Sequence, residues 1–207
     1  RDTRHVWAGG AETYVHELAK RWAASGHYVT LFCGNDGNSP RYEVIDGVNI
    51  VRRGGWYTIY IWAFLYYVLR FRNKYDVIID SANGIAFFTP LFVRKPVLLL
   101  IHHVHQQVFR TYLKWPMSLI AQLIESKVMR FIYRHQRVIT VSESSKADIL
   151  DIKFTKPEYV DVVNPGVSLS EYKLMEKTEN PSLLYLGRLK PYKNVDVVIK
   201  AYAEILK

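Results

Sequence analysis

The feature that most constrains the fold is a series of short apolar segments that recur between longer helical patterns. Five segments are predicted strands: residues 28–33, 75–80, Val97–Ile101, 138–141 and 159–163. Val97–Ile101 is apolar at every position, which is typical of a strand buried on both faces. Strands of this kind, alternating with helices, predict an α/β fold with a parallel sheet covered by helices on both faces.

The intervening segments carry recognisable helix and turn signals. Residues 11–25 place apolar side chains at helical spacing, and Gly26 follows in the position of a glycine that ends a helix. Residues 42–53 are predicted to form a hairpin around an Asp46-Gly47 turn. Residues 85–92 are predicted as a short helix, and residues 117–134 and 195–207 as longer ones.

Composition along the chain predicts two domains. Residues 1–172 are assigned to the first domain, and the polar, turn-rich residues 173–181 to a linker. Residues 182–207 are predicted to be the first strand and helix of a second, incomplete domain. Residue 1 is arginine rather than methionine, and residue 207 falls inside a predicted helix. The sequence is therefore expected to be a truncated piece of a longer protein, and this polypeptide alone is expected to be inactive.

Polar side chains follow four of the predicted strands. They are Asn83, His102, the pair Ser142 and Glu143, and Asn164. In parallel sheets ligands gather at the carboxyl ends of the strands, so these residues are predicted to lie around a site at one edge. Glu143 is a candidate acid or base by residue type, and the alternative is a carboxylate that favours a helix N-terminus.

Two segments near opposite ends of the chain are candidate phosphate sites. Gly9 and Gly10 open the first predicted helix, whose backbone N–H groups suit a diphosphate. Arg188 and Lys193 flank a strand-to-helix turn, where two cations can converge on one anion. The alternatives are a glycine-rich helix start and a solvated turn.

Three histidines, His102, His103 and His105, follow the apolar strand Val97–Ile101. They are candidates for hydrogen bonding to substrate hydroxyl or phosphate oxygens. Packing or surface histidines are one alternative, and a metal site is another. The sequence contains no HExxH motif and no Asp-X-Asp motif, so we predict no metal.

Composition limits the classes of binding partner and the cellular compartment that we expect for this protein. The single cysteine, Cys33, rules out an internal disulfide and favours a reducing, cytoplasmic location. The net charge of +9 suits phosphorylated substrates or an anionic membrane, and no nucleic-acid-binding motif accompanies it. Residues 54–69 are aromatic and uncharged, but too short for the ~20 residues that span a bilayer. They are predicted to form either a buried helix or an interfacial helix that contacts lipid head groups.

Five motifs in one order resemble glycosyltransferase family 4, whose members have the GT-B fold. They are the GGAE segment with Tyr14, Leu18 and Ala19, residues 26–30, the TVSES run at 140–144, residues 164–167, and residues 187–193. The resemblance covers nearly the whole chain. It implies two Rossmann-like domains, the first binding the acceptor and the second a nucleotide diphosphate-sugar. It also implies a retaining hexosyl transfer that uses no cofactor and no metal.

The resemblance assigns roles to the candidate residues. Gly9 and Gly10 would approach the donor phosphates, and Arg188 and Lys193 would neutralise the leaving diphosphate. The active-site histidine of the family follows this strand, and spacing favours His105, with His102 and His103 left open.

Three further residues, Asn83, Ser142 and Asn164, are placed on the acceptor side. The acceptor is expected to be a glycan or a lipid-linked molecule, which would put the protein at the cytoplasmic membrane face.

This sequence departs from the family pattern in three places. Few residues precede the glycine loop, where the family has a strand. The Glu-x(7)-Glu segment of the second domain is missing, and Pro165 is inserted in the Asn-Gly-Val motif. Two alternatives from other classes remain, a non-catalytic sugar-nucleotide binding module and a membrane-surface adaptor.

Overall fold

A computed structural model describes residues 1–169, 172–173, 176–187, 189 and 193–206. It divides into two compact units, Arg1–Gly166 and Val167–Lys207. The first unit contains every strand of the described chain and both of its buried apolar clusters. The predicted domain boundary at residue 172 lies close to this division.

The first unit begins with a small mixed sheet. Helix α1 (Gly10–Ala24) precedes the strands β1 (Thr30–Cys33), β2 (Tyr42–Ile45) and β3 (Val48–Arg52). β2 and β3 form the predicted hairpin, and β3 also pairs in parallel with β1. Ala19 of α1 packs against this sheet with Cys33, Val48 and Ile50.

The second sheet has four strands in the order β4-β5-β6-β7, all parallel. They are β4 (Ile78–Ala82), β5 (Val97–Ile101), β6 (Arg137–Thr140) and β7 (Val160–Val162). Leu99 and Val138, at the centre of this sheet, have no exposed surface. The α/β fold with a Rossmann-like parallel sheet flanked by helices is confirmed. The prediction that the strand at 28–33 belongs to this parallel sheet was wrong, because β1 pairs with β3 of the hairpin in the separate three-stranded sheet.

Helices connect the strands of the parallel sheet. They are α2 (Thr58–Tyr66) with a π-helical extension Tyr67–Phe71, α3 (Gln106–Tyr112), α4 (Met117–Leu123), a π-helical segment Ile124–Met129, α5 (Arg130–Ile132) and α6 (Glu143–Asp151). α4 to α5 form the long helix that the sequence predicts. The predicted helix at 85–92 was wrong in extent, because Phe88 has a φ of +58° and only the 3₁₀ turn Thr89–Leu91 forms. A second 3₁₀ turn, Pro157–Tyr159, precedes β7.

The second unit contains α7 (Val195–Ile205), as the sequence predicts. The strand predicted at residues 182–186 does not form. A strand needs a neighbour to satisfy its backbone hydrogen bonds, and the described residues of this unit offer none. Leu184 and Leu186 are accordingly about nine-tenths exposed, at 88% and 91%.

Candidate functional site

The carboxyl ends of the four parallel strands meet at one edge of the sheet. Ala82 is opposite Ile101, Ile101 is opposite Thr140, and Thr140 is opposite Val162. Side chains that directly follow these four residues therefore start from neighbouring backbone positions. Each predicted edge residue of the first unit follows one of these strands, so they share the edge at which α/β sheets bind ligands.

The N-terminus of α1 is held at the same edge. The phenolic hydroxyl of Tyr14 donates to the carbonyl of Val163, just after β7, at 3.0 Å. The Tyr14 ring meets His102 edge-on, with centroids 5.7 Å apart. These contacts bring the glycine loop close to the end of β5, although the two segments are about ninety positions apart in the sequence.

The glycine loop is stabilised by its own acidic residue. The backbone N–H of Gly9 donates to the carboxylate of Glu12 at 2.8 Å, and Arg1 pairs with the same carboxylate at 3.0 Å. A Cβ added at Gly10 would meet no heavy atom within 4 Å. The loop therefore uses the N–H of Gly9 internally and leaves open space beside Gly10, at the positive end of the helix dipole.

His102 is buried directly after β5, with 7% of its surface exposed. Its Nε2 lies 3.2 Å from the hydroxyl of Ser81, and its carbonyl accepts a hydrogen bond from Ser145. Burial lowers the pKa of His102 to about 4, although the nearby Glu12 raises it. The imidazole is therefore neutral at pH 7, its ring is positioned by Ser81 of β4, and its backbone is held by Ser145 of α6.

His105 precedes α3 and is also 7% exposed. Its Nδ1 lies 3.0 Å from the carbonyl of His103. Burial lowers the pKa of His105 to about 4, and the neighbouring His103 lowers it further. Because a carbonyl only accepts, Nδ1 of the neutral ring carries the hydrogen and Nε2 is left as an acceptor. His103 is exposed and its ring stacks on His105 with centroids 3.9 Å apart.

Glu125 holds the segment that carries His105. Its carboxylate accepts from the backbone N–H of His105 at 2.7 Å and from Gln106 Nε2 at 2.8 Å. Burial raises the pKa of Glu125, while these two hydrogen bonds lower it. Sequence reasoning missed this residue. A signal was present, since Glu125 is the only Asp or Glu between Asp80 and Glu143.

The serines and Asn164 join the ends of β5, β6 and β7. Ser142 caps α6, its hydroxyl accepting from the backbone N–H of Ser145 at 3.1 Å, and the Ser145 hydroxyl reaches the carbonyl of His102. The amide of Asn164 donates to the carbonyl of Val141 at 3.1 Å. Ser142 and Asn164 thus support the backbone of the edge, in addition to the acceptor-side role predicted for them.

Two further candidate residues, Asn83 and Glu143, are exposed to solvent. Asn83 follows β4 and is exposed. Glu143 lies in the first turn of α6 and is exposed as well. Their positions at the ends of β4 and β6 agree with the predicted edge.

The predicted diphosphate cations belong to the second unit. Lys193 directly precedes Asn194, the N-cap residue of α7. Arg188 lies outside the described residues. Within the described part of the chain, no group of three His, Cys, Asp or Glu side chains has the arrangement needed to hold a metal ion. Nor does any helix described in the structure have the length and apolar character needed to cross a bilayer.

Comparison with known proteins gives a family match and several curated relatives. Residues 8–171 match the model of Glycosyltransferase Family 4. Among curated proteins, the chain is 25% identical over 96% of its length to a D-inositol 3-phosphate glycosyltransferase of Streptosporangium roseum, covering 52% of that protein. Proteins of the same name from a Nocardioides species and from Thermobispora bispora are 25% and 26% identical, over 96% and 95% of this chain and 50% and 52% of their own lengths. The chain therefore spans about half the length of the curated relatives it matches.

Proposed function

We propose, since this chain belongs to glycosyltransferase family 4, that the whole protein transfers a hexose from a nucleotide diphosphate-sugar to an acceptor hydroxyl with retention of anomeric configuration. The observation that carries the proposal is the neutral, buried His105, which follows β5 at the edge where Tyr14 of α1 meets His102. With Nδ1 donating to the carbonyl of His103, Nε2 accepts a hydrogen bond from a sugar hydroxyl.

The leaving diphosphate needs positive potential where its charge develops. In the proposed reaction the N–H groups at the start of α1, beginning at Gly10, supply one part, and Arg188 and Lys193 of the second unit supply the other. The anomeric carbon of the donor is proposed to react at the edge that carries His102 and His105. No metal or further cofactor is proposed for the reaction.

The acceptor is proposed to enter at the edge formed by Asn83, Ser142 and Asn164. The relatives named above act on D-inositol 3-phosphate, a phosphorylated polyol. We extend this to an acceptor class of phosphorylated polyols, glycans and lipid-linked molecules. For a lipid-linked acceptor, the protein would work at the cytoplasmic face of a membrane as a peripheral protein.

The decisive experiment replaces His105 in the whole protein. His105→Ala is expected to lower kcat by about 10²–10⁴-fold, the range of a lost general acid–base or polar group. The dissociation constant of the donor, measured by calorimetry, should stay within about twofold. His27→Ala, a change at an exposed histidine outside the site, is the matched control.

An unchanged kcat for His105→Ala would contradict the catalytic proposal. Donor binding with no transfer to any acceptor in the wild-type protein would favour the non-catalytic binding module. Vesicle binding with no response to nucleotide-sugars would favour the membrane adaptor.

The diphosphate assignment has its own test. Arg188→Ala and Lys193→Ala in the whole protein are each expected to weaken nucleotide diphosphate binding by about 1.5–3 kcal/mol, the scale of a hydrogen bond to a charged group. Titration calorimetry measures the loss, and Lys156→Gln, at an exposed position of the first unit, is the control. Undiminished affinity in both variants would remove these residues from the donor site.

A further inference from the structure

Helix α2 presents an aromatic surface that the first unit leaves uncovered. Trp56 and Tyr57, directly before the helix, are 81% and 82% exposed. Within the helix, Ile61 is 62% exposed, and no residue of α2 is fully buried. Large apolar side chains exposed together in one short segment mark a candidate interaction surface.

The opposite side of α2 is anchored, so the exposed side has a fixed position. The hydroxyl of Tyr60 donates to the carbonyl of Ile85 at 3.1 Å. Its ring packs against Phe87, and Phe64 meets Phe92 edge-on. The helix is therefore held against the segment that follows β4, which is the same segment that leads away from the candidate site.

A cavity of about 350 Å³ adjoins α2 at the carboxyl ends of β1 and β3. Its lining residues are Asn35, Gly37, Arg41, Arg52, Arg53, Gly54 and Trp62. The buried Arg52 is neutralised by Asp2 at 2.6 Å and by Glu43 at 3.0 Å. Neither Arg41 nor Arg53 takes part in an ion pair within the described part of the chain.

Arg53 is held in position without a carboxylate. Its Nη1 donates to the carbonyls of Arg52 at 2.7 Å and Arg41 at 3.3 Å. Its guanidinium lies over the Tyr42 ring, 4.2 Å from the centroid. A guanidinium that is fixed by carbonyls and an aromatic face, beside the second cation Arg41, forms an arrangement that suits a phosphate.

The charged side chains in and around α2, between Asp46 and Asp76, are all basic. Between Asp46 and Asp76 the sequence contains five Lys and Arg residues and no Asp or Glu. Two of the five precede α2, and the others, Arg70, Arg72 and Lys74, follow it. An uncharged aromatic helix with cations at both ends has the composition of an element that lies in a membrane interface.

We infer that the exposed side of α2, together with Trp56, Tyr57 and the Arg41–Arg53 cavity, docks onto an anionic lipid bilayer, with the cavity taking a lipid phosphate. The aromatic side chains enter the head-group region, and the flanking cations meet the negative surface. The inference rests on the proposed peripheral location of the whole protein. It specifies the surface that faces the membrane and a phosphate site separate from the donor site.

The test measures sedimentation of the whole protein with vesicles in the absence of any sugar substrate. Binding is expected to vesicles of mixed phosphatidylcholine and phosphatidylglycerol, to be weaker at high salt, and to be absent with phosphatidylcholine alone. The double variant Trp56→Ser with Tyr57→Ser should weaken binding at least tenfold. Arg41→Gln and Arg53→Gln should each weaken it about fivefold and reduce its salt dependence.

Two matched variants serve as controls in the same assay. Leu184→Ser removes an equally exposed apolar side chain, and Lys156→Gln removes an exposed cation elsewhere; both should bind like the wild type. Circular dichroism establishes that each variant is folded. As a second readout, the blue shift of tryptophan emission on adding anionic vesicles should decrease in Trp56→Tyr.

Three results would overturn the inference. They are equal binding to neutral and anionic vesicles, anionic binding that the α2 and arginine variants leave intact, and no vesicle binding at all. If the last result came with self-association that Trp56→Ser abolishes, the surface would belong to a second copy of the chain. Because no sugar is present, these failures would leave the proposed transfer reaction standing.

Discussion

His102 and His105 keep neutral rings in the folded protein, and this has a measurable effect on stability. Their pKa values are about 4 when folded, against 6.5 for an ordinary histidine, mainly because of burial. Between pH 6.5 and pH 4 the unfolded chain binds protons that the folded chain does not. The stabilising contribution of each neutral histidine to the free energy of unfolding is therefore present above pH 6.5 and is lost as the pH falls toward 4.

We expect His102→Gln to reduce this acid sensitivity. Between pH 7 and pH 5 the free energy of unfolding of the variant should fall by about 2 kcal/mol less than that of the wild type. Comparing the two proteins removes the opposite contributions of Asp80 and Glu125, whose pKa values burial raises. Urea unfolding at both pH values measures the difference, and parallel losses in the two proteins would contradict the assignment.

The same residues show how far sequence reasoning reaches at this scale. The sequence placed three histidines after β5 but left open which one belongs to the site. Burial separates His102 and His105 from the exposed His103, and burial depends on neighbours that are distant in sequence. Glu125 was missed for the same reason, because its contact with His105 spans twenty positions and two helices.

At the scale of elements, the backbone conformation of Gly54 sets the direction of the chain between β3 and α2. This residue has a φ of +68°, and a Cβ there would lie 2.8 Å from the backbone nitrogen of Ile59 and 2.8 Å from Cδ1 of Trp62. Gly54→Ala should therefore destabilise the protein by at least about 1–2 kcal/mol, the cost of a left-handed conformation alone. Because Trp62 lines the arginine cavity, the variant should also weaken vesicle binding.

The neighbouring glycine provides the comparison. A Cβ at Gly55 would meet no heavy atom within 4 Å, and its φ lies outside the left-handed region. Gly55→Ala should change the free energy of unfolding by less than about 0.5 kcal/mol, as ordinary surface changes do. If the two variants lost equal free energies of unfolding in urea, the close packing at Gly54 would not contribute to stability.

Elements with strong local signals were predicted well, and those that depend on partners were not. Val97–Ile101 was predicted with its observed bounds, because a wholly apolar run between breaks leaves few alternatives. α3 was missed, since its seven residues carry little periodicity and its first turn is held by the distant Glu125. The strand predicted at 182–186 had apolar residues but no neighbouring strand.

At the scale of the whole molecule, all the buried apolar residues that the structure describes lie within the first unit. The two clusters extend from Ala19 to Val160, and the described residues after Gly166 contribute none of their members. A polypeptide of residues 1–166 should therefore unfold in one cooperative transition, with a free energy of unfolding within about 0.5 kcal/mol of the 207-residue chain.

A shorter truncation gives the contrasting result. Residues 1–159 lack β7, whose Val160 is buried and whose backbone pairs with β6. This polypeptide should lose the cooperative transition or most of its stability. Circular dichroism during urea unfolding measures both truncations, and a clear loss of stability in residues 1–166 would place part of the core beyond Gly166.

Tyr14 gives α1 a mechanical role in this molecule. The helix packs through Ala19 on the three-stranded sheet, while Tyr14 bonds to the residue after β7 of the four-stranded sheet. Helix α1, which begins at the glycine loop, therefore connects the two sheets, whose strands form no hydrogen bonds with each other among the described residues. We expect a ligand that binds at this loop to stabilise the contact between the two sheets, and a weakening of that contact to lower the affinity for the ligand by the same factor.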